Sequence, residues 1–373
     1  MNRKSLKLLV ILILAVLGLV FYNNCTSKGG ENSDMLTLKQ AIDNIVKPRL
    51  KIGAIIGVIL QNQRHVFAYG AKERNGSAAP DCNTVFEIGS NTKTFTAIIL
   101  ADMHLKANVN LEDNVEIYHP AEKVTIPTSN GTKINLTHLA THTSGIPSMP
   151  GNIEEHQTNP SDPFSSYTVD HMYEFLNTCT LIFPAGSRHQ YSNAGMGLLG
   201  LTLALANGTS YEELLKQRLL NPLGMNNTTL FLTDGQRQYL AAGYDGELNP
   251  VSTWTATDCL QGAGFIKSTL NDMFIYLEAN MGLFDTPLRQ AMDLAHEPRV
   301  QAPWGEHCGL GWYTTQFEDG QEIINHNGAT GGYYAYIGFN KSLATGVIVL
   351  CNNKYDSGSD EIGPMVLKIL KNY

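Results

Sequence analysis

The sequence predicts a mixed α/β fold of the α+β kind: an antiparallel sheet built from N- and C-terminal segments, flanked by helices, with a mostly helical lobe inserted between them. Two observations predict it. Runs rich in Val, Ile, Phe and Tyr lie near both ends of the chain, at Ile52–Leu60 and His65–Tyr69 and again between Gly309 and Cys351. The stretch between, roughly Ala107 to Arg299, alternates loop-forming residues with helical periodicity.

The elements follow in order. Leu36–Val46 carries apolar residues at Leu36, Leu38, Ala41, Ile42, Ile45 and Val46, a helical spacing. Ile52–Leu60 and His65–Tyr69 flank Gln61-Asn62-Gln63-Arg64 and read as a β-hairpin. Thr92–Lys106 is a strong helix that begins just after Gly89-Ser90. Helices are expected at His171–Leu176, Ala194–Asn207, Tyr211–Leu219 and Leu270–Asn280. Strands then return at Gly309–Gln316, Gln321–His326, Tyr333–Phe339 and Gly346–Cys351, and a helix over Glu361–Leu370 closes the chain. This divides the protein into an N-terminal segment, 1–25, a flexible linker, 26–35, and one domain, 36–373. Within the domain, 36–106 and 300–373 form the α/β lobe and 107–299 the helical lobe.

The first 25 residues stand apart. Arg3, Lys4 and Lys7 precede an uncharged apolar run from Leu8 to Phe21, the charged-then-apolar order of an export signal, short for a membrane-spanning helix. Cys25 then opens a polar stretch, and the whole resembles a bacterial lipoprotein signal in which Cys25 is lipidated. Tyr22-Asn23-Asn24 stands where small residues are expected, which keeps an uncleaved anchor or a simple cleaved signal open. Each version exports the protein to the periplasm or cell envelope, and two of them attach its N-terminus to a membrane.

With 43% hydrophobic and 16% charged residues over 373 positions the chain is a folded globular protein. A net charge of -8 gives no basic footprint for nucleic acid. Cys82, Cys179, Cys259, Cys308 and Cys351 are scattered with no Cys-x-x-Cys pair, so zinc and redox motifs fail and most of them are expected to be ordinary buried cysteines, with disulfide pairing left open. His138 and His142 stand at i,i+4, but Leu139 lies between them without a glutamate base, so a structural role is expected and neither a metal nor a cofactor.

Three short strings carry chemistry. Ser90 and Lys93 are three residues apart at a helix start, so they share one face and the serine sits in the positive field of the helix N-terminus. A serine hydroxyl attacks once a neighbouring base takes its proton, and a lysine one turn away can serve. A helix cap followed by a surface lysine would leave the same four letters. Tyr-x-Asn occurs at Tyr22 and at Tyr191-Ser192-Asn193, and His-x-Gly at His307 and at His326-Asn327-Gly328, so context has to choose.

That context is supplied by order. Phe86-Glu87-Ile88-Gly89-Ser90-Asn91-Thr92-Lys93 resembles the nucleophile segment of the class C β-lactamase and penicillin-binding-protein family. Leu139–Pro147, Pro184-Ala185-Gly186 with Tyr191-Ser192-Asn193, Pro222–Met225, Gly309–Trp312 and His326-Asn327-Gly328 follow in the family's order, and the match covers about residues 36 to 372. The resemblance implies a β-lactamase/transpeptidase-like fold and a set of roles. Ser90 would be acylated. Tyr191, its phenol acidified by Lys93, would relay protons. Asn193 would bind the substrate amide. The backbone N–H groups of Ser90 and Ala329, the latter next to Gly328, would form the oxyanion hole, and substrate would lie along that strand edge.

His326 departs from the Lys-Thr-Gly of the family's β-lactamases. A histidine offers only a conditional cation to a substrate carboxylate, and His-x-Gly looks like the variant of D,D-peptidases, D-aminopeptidases and esterases. The ranking implied is therefore D-alanyl-D-alanine carboxypeptidase or D-peptidase first, carboxylesterase second and β-lactamase third, on a small-molecule or peptidoglycan-like peptide. A non-catalytic binding or assembly relative is the rival from another class, and the presence of Ser90, Lys93, Tyr191 and Asn193 together speaks against it.

Overall fold

The computed structural model describes residues 33–318, 320–354 and 359–373. The expected export segment 1–25 and Cys25 lie outside them. Among the described residues no helix is long and apolar enough to cross a membrane.

The chain opens with helix α1 (Ser33–Val46) and a hairpin of β1 (Gly53–Leu60) and β2 (Gln63–Gly70). The hairpin turn is two residues, not four: Gln61 and Asn62 take φ of 52° and 60°, the left-handed pair that matches the twist of the flanking strands. Short β3 (Val85–Glu87) leads to helix α2 (Thr92–Leu105). Helices α3 (Val169–Thr178) and α4 (Asn193–Asn207) follow, then short strands β4 (Gly243–Tyr244), β5 (Pro250–Val251) and β6 (Lys267–Thr269). Helices α5 (Leu270–Met281) and α6 (Arg289–His296) precede β7 (Val300–Gln301), β8 (His307–Cys308), β9 (Tyr313–Gln316), β10 (Glu322–Ala329), β11 (Tyr334–Asn340) and β12 (Thr345–Cys351). Helix α7 (Ser359–Ile369) closes the chain.

One sheet runs β2-β1-β12-β11-β10-β9-β8-β7, antiparallel throughout. The first and last long strands meet inside it, Ala54 opposite Cys351 through Ile59 opposite Gly346, which is how the two chain ends build one sheet. Both faces are covered. Ile56, Val58, Val347 and Val349 point to a core shared with Leu38 and Ile42 of α1 and Ile362 and Val366 of α7. Ile55, Ile59, Ile348 and Leu350 point to the main core with α2 and α5. That is why β1 reads as a continuous apolar run instead of an alternation; each fully buried Ile or Val contributes about 1.5–3 kcal/mol.

Some expectations shift. Of Gly309–Gln316 only Tyr313–Gln316 is strand, because Gly311 turns left-handed at φ +67°. Strand β10 continues three residues past His326 to Ala329. Helix α5 belongs by position to the helical lobe, yet it lies on the sheet: a side chain on Gly57 of β1 would strike Leu270 and Phe274. Helix α2 is the central strut, buried from Thr92 to Met103. Its threonines are satisfied inside the core, Thr94 with the Tyr276 hydroxyl at 2.8 Å and Thr96 with the Tyr211 hydroxyl at 2.6 Å.

Candidate active site

Three parts of the fold converge. The first is the turn before α2. Ser90 sits in a single 3₁₀ turn, Gly89–Asn91, directly ahead of the α-helix. Gly89 has φ +50°, open to glycine at no steric cost, and this bend brings the serine out of strand β3 towards β10. One turn on, Lys93 is fully buried. Its Nζ lies 2.9 Å from Ser90 Oγ, 2.8 Å from Asn193 Oδ1 and 2.5 Å from the Ala263 carbonyl oxygen.

Burial holds the Lys93 pKa well below its ordinary 10.5. Nζ donates to each of these three oxygens. Burial eases the loss of one of its protons, and the same 2.9 Å contact then places the lysine to accept the Ser90 hydroxyl proton.

The second part is the loop entering α4. Ser192 caps this helix, accepting from Gly195 N–H at 2.9 Å and donating to the Pro147 carbonyl at 2.8 Å. Asn193 N–H donates to the Ser148 carbonyl at 2.8 Å. His142, buried and at φ +58°, holds the loop from beneath: its Nδ1 accepts Ser192 N–H at 3.1 Å, its carbonyl accepts Gln190 N–H at 2.8 Å, and its ring lies 4.4 Å from that of Tyr191. With Nδ1 accepting, the proton sits on Nε2. Burial, then the Lys93, His189 and His326 charges, hold His142 well below 6.5. Lys93 Nζ lies 4.8 Å from the centre of the Tyr191 ring. Burial pushes the Tyr191 phenol above its usual 10, and contact with the Ser90 hydroxyl offsets part of that rise. The acidified phenol drawn from the family resemblance is therefore not the resting state. Burial outweighs the contact that lowers its pKa, so the tyrosine is protonated.

The third part is the end of β10. Strand β9 pairs only with Glu322–Asn325, so residues 326–329 run on past their neighbour and leave one edge open. Gly328 has to be glycine: a Cβ there would collide with the Ile88 carbonyl and stand 2.7 Å from Ser90 N. A Cβ on Gly89 would in turn lie 2.7 Å from Ala329 N. The backbone N–H groups of Ser90 and Ala329 thus come from two segments in direct contact.

The family model for Beta-lactamase matches residues 42–369. The chain belongs to the β-lactamase family. It is similar to a β-lactamase of Pseudomonas fluorescens, 28% identical over 357 residues, covering 85% of this chain and 94% of the relative. It is equally similar to the D-alanyl-D-alanine-carboxypeptidase/endopeptidase AmpH of Escherichia coli K12, 28% identical over 338 residues, covering 86% of this chain and 85% of that one. A solved class C β-lactamase superposes with a TM-score of 0.77 at 23% identity, covering 91% of this chain and 98% of that chain. This β-lactamase-family protein is thus a serine hydrolase, and the rival reading as a purely binding relative gives way.

In this β-lactamase-family hydrolase His326 is 1% exposed, its ring 6.4 Å from that of Tyr191 and 5.5 Å from that of Tyr313. Its Nδ1 pairs with the Asn327 carbonyl at 2.5 Å, so it is the protonated nitrogen, and Nε2 is buried with no hydrogen-bond partner among the described residues. Burial, then the Lys93 charge, lowers its pKa to about 3. The conditional cation expected from sequence is a neutral imidazole. His138 accepts Asn135 N–H in a helix cap at 3.2 Å. Among the described residues no group of three or more His, Cys, Asp or Glu could hold a metal. One contributor escaped the sequence reading, the Ala263 carbonyl, whereas His142 takes the structural role expected of it by bracing the Tyr191 loop. A backbone carbonyl 170 positions from its lysine leaves no local signal.

Proposed function

We propose that the protein is a serine acyl-transfer hydrolase working through an acyl-enzyme on Ser90, with D-alanyl-D-alanine carboxypeptidase or D-peptidase activity. The observation that carries it is the buried Lys93, its Nζ 2.9 Å from Ser90 Oγ and its pKa pushed well below the ordinary lysine value by burial. Lys93 takes the hydroxyl proton as Ser90 attacks the carbonyl carbon. The N–H groups of Ser90 and Ala329 hold the oxygen as it becomes negative, each such donor typically contributing about 3 kcal/mol. Tyr191, protonated at rest, gives its proton to the leaving group and recovers it through Lys93. Water then attacks the ester by the reverse route. Asn193, tied to Lys93 through Oδ1, keeps its NH2 for the substrate amide carbonyl.

Support for a peptide substrate comes from the open edge at 326–329, which suits an added extended strand, and from the similarity to AmpH. A second reading, carboxylesterase, is favoured by His326: a neutral ring offers a substrate carboxylate no charge. β-Lactamase activity ranks third because His326-Asn327-Gly328 stands where the family's β-lactamases carry Lys-Thr-Gly. The N-terminus, outside the described residues, supports export and attachment to the cell envelope through Cys25 by its sequence pattern alone.

The test is a panel of nitrocefin, a D-Ala-D-Ala peptide and p-nitrophenyl esters. Wild type is expected to be labelled by a fluorophosphonate and Ser90→Ala not. Equal labelling of both removes Ser90 as the nucleophile, and turnover of esters alone moves the reading to carboxylesterase.

A further inference from the structure

The nucleophile strand carries a buried ion pair that the acyl-transfer chemistry does not use. Glu87, three residues before Ser90, stands opposite Lys267 in the β3–β6 pairing. The two side chains are each 2% exposed, with Lys267 Nζ 3.7 Å from Glu87 Oε1. Between them they grip one residue of a third segment. Glu87 Oε1 accepts the Trp254 backbone N–H at 2.7 Å, and Lys267 Nζ donates to the Trp254 carbonyl at 2.5 Å. The next N–H, of Thr255, donates to Asp162 Oδ1 at 2.8 Å. The indole is wedged edge-on against Phe164, centroids 5.0 Å apart.

This strap borders the cleft. A Cβ on Gly331, two residues past Ala329, would lie 3.0 Å from Trp254 Nε1, and one on Gly332 would strike Val251. Trp254 therefore stands where the open edge 326–329 ends. Thr330, between Ala329 and that contact, lies close enough to favour the ionised Glu87 carboxylate, though its Oγ1 and Glu87 Oε2 are both buried without a hydrogen bond among the described residues.

Stability alone does not call for these two residues. A buried ion pair is seldom more stable than an apolar pair of the same volume, but an apolar pair could not hold the N–H and C=O of another segment. We propose that Glu87 and Lys267 are positioning residues that fix the distance between Ser90 and the Trp254 wall, and so select substrates by how far the acyl part extends beyond the reacting carbonyl. This rests on Ser90 being the nucleophile.

The test compares kcat/KM for p-nitrophenyl acetate with that for the p-nitrophenyl ester of N-benzoylglycine, each normalised to sites titrated with a fluorophosphonate. In Glu87→Gln and Lys267→Met the ratio of extended to short ester should fall about tenfold, through KM. Trp254→Ala, which leaves the pair intact, should lower the ratio likewise and serves if the pair variants fail to fold. An unchanged ratio, whatever happens to Tm, makes the pair merely structural and overturns the proposal. Ser90→Ala separates the two readings: if it still turns over the short ester, the nucleophile assignment fails and takes this inference with it. If it is inert while the ratio is unmoved, the positioning role alone fails.

Discussion

At the scale of single residues, charge state decides what each side chain can do. Lys93 reaches a serine inside the core, and the same burial lowers its pKa, so one packing arrangement supplies position and basicity. Lys93→Met keeps the length and removes the lone pair. It should lower kcat by roughly a thousandfold, within the usual range for a lost general base, with KM for a neutral ester little changed. A loss below tenfold would transfer the base role elsewhere. His326 gives a prediction of opposite character. Its imidazole gains a proton only as pH falls towards about 3, so KM for carboxylate-bearing substrates should show no histidine inflection between roughly pH 5 and 8. A KM that rises across pH 6–7 for acidic substrates, and not for neutral esters, would show a protonated ring at work.

At the scale of elements, the site depends on two backbones touching where side chains are absent. The Gly89 turn and the Gly328 position interlock, each leaving no room for a Cβ on the other's partner. Gly328→Ala should therefore separate Ser90 from Ala329 and lower kcat roughly a hundredfold through the oxyanion donors, while circular dichroism stays native. Unchanged kcat would mean that the turn has slack. The sequence made the long elements legible: β1, β11 and β12 are buried on both faces, which leaves mostly apolar runs, and helix α2 carries the apolar stretch Phe95–Ala101 broken only by Thr96. Strands of two or three residues such as β3, β6, β7 and β8 carry no period to read. Helix α6 was missed because its polar face, Arg289, Gln290 and Asp293, resembles loop. Within the site, Ser90, Lys93, Tyr191 and Asn193 were legible through the order of their strings. The electrostatics were not: the neutral His326 and the lowered pKa of Lys93 follow from burial, and the grip of Glu87 and Lys267 on Trp254 joins segments far apart in the chain.

At the scale of the whole molecule, the site lies where the sheet, the central helix and the helical lobe meet, so the core that sets the site also sets the acid limit of the fold. His142, His296 and His326 are buried and neutral, with pKa values held below 6.5 by burial. A group whose folded pKa is depressed contributes stability that is complete above its unfolded pKa and is lost as pH falls towards the folded value. For these histidines the loss begins near pH 6.5. Glu87 and Asp272, raised by burial, run the other way, so a difference between variants isolates one group better than an absolute curve. His296 is the group to remove. It sits between α6 and the sheet, 5.1 Å from Trp312 and 5.4 Å from Phe339 by ring centroids, with Nε2 paired to Asn280 Oδ1 at 3.0 Å, and it touches none of the site residues. In His296→Gln, urea unfolding followed from pH 6 to 4.5 should give a free energy that falls less steeply with acid than in wild type, by up to about 1.4 kcal/mol per pH unit, one proton's worth. Lines that run parallel across that interval would mean His296 is already protonated in the folded protein, and the acid limit would then have to come from other groups.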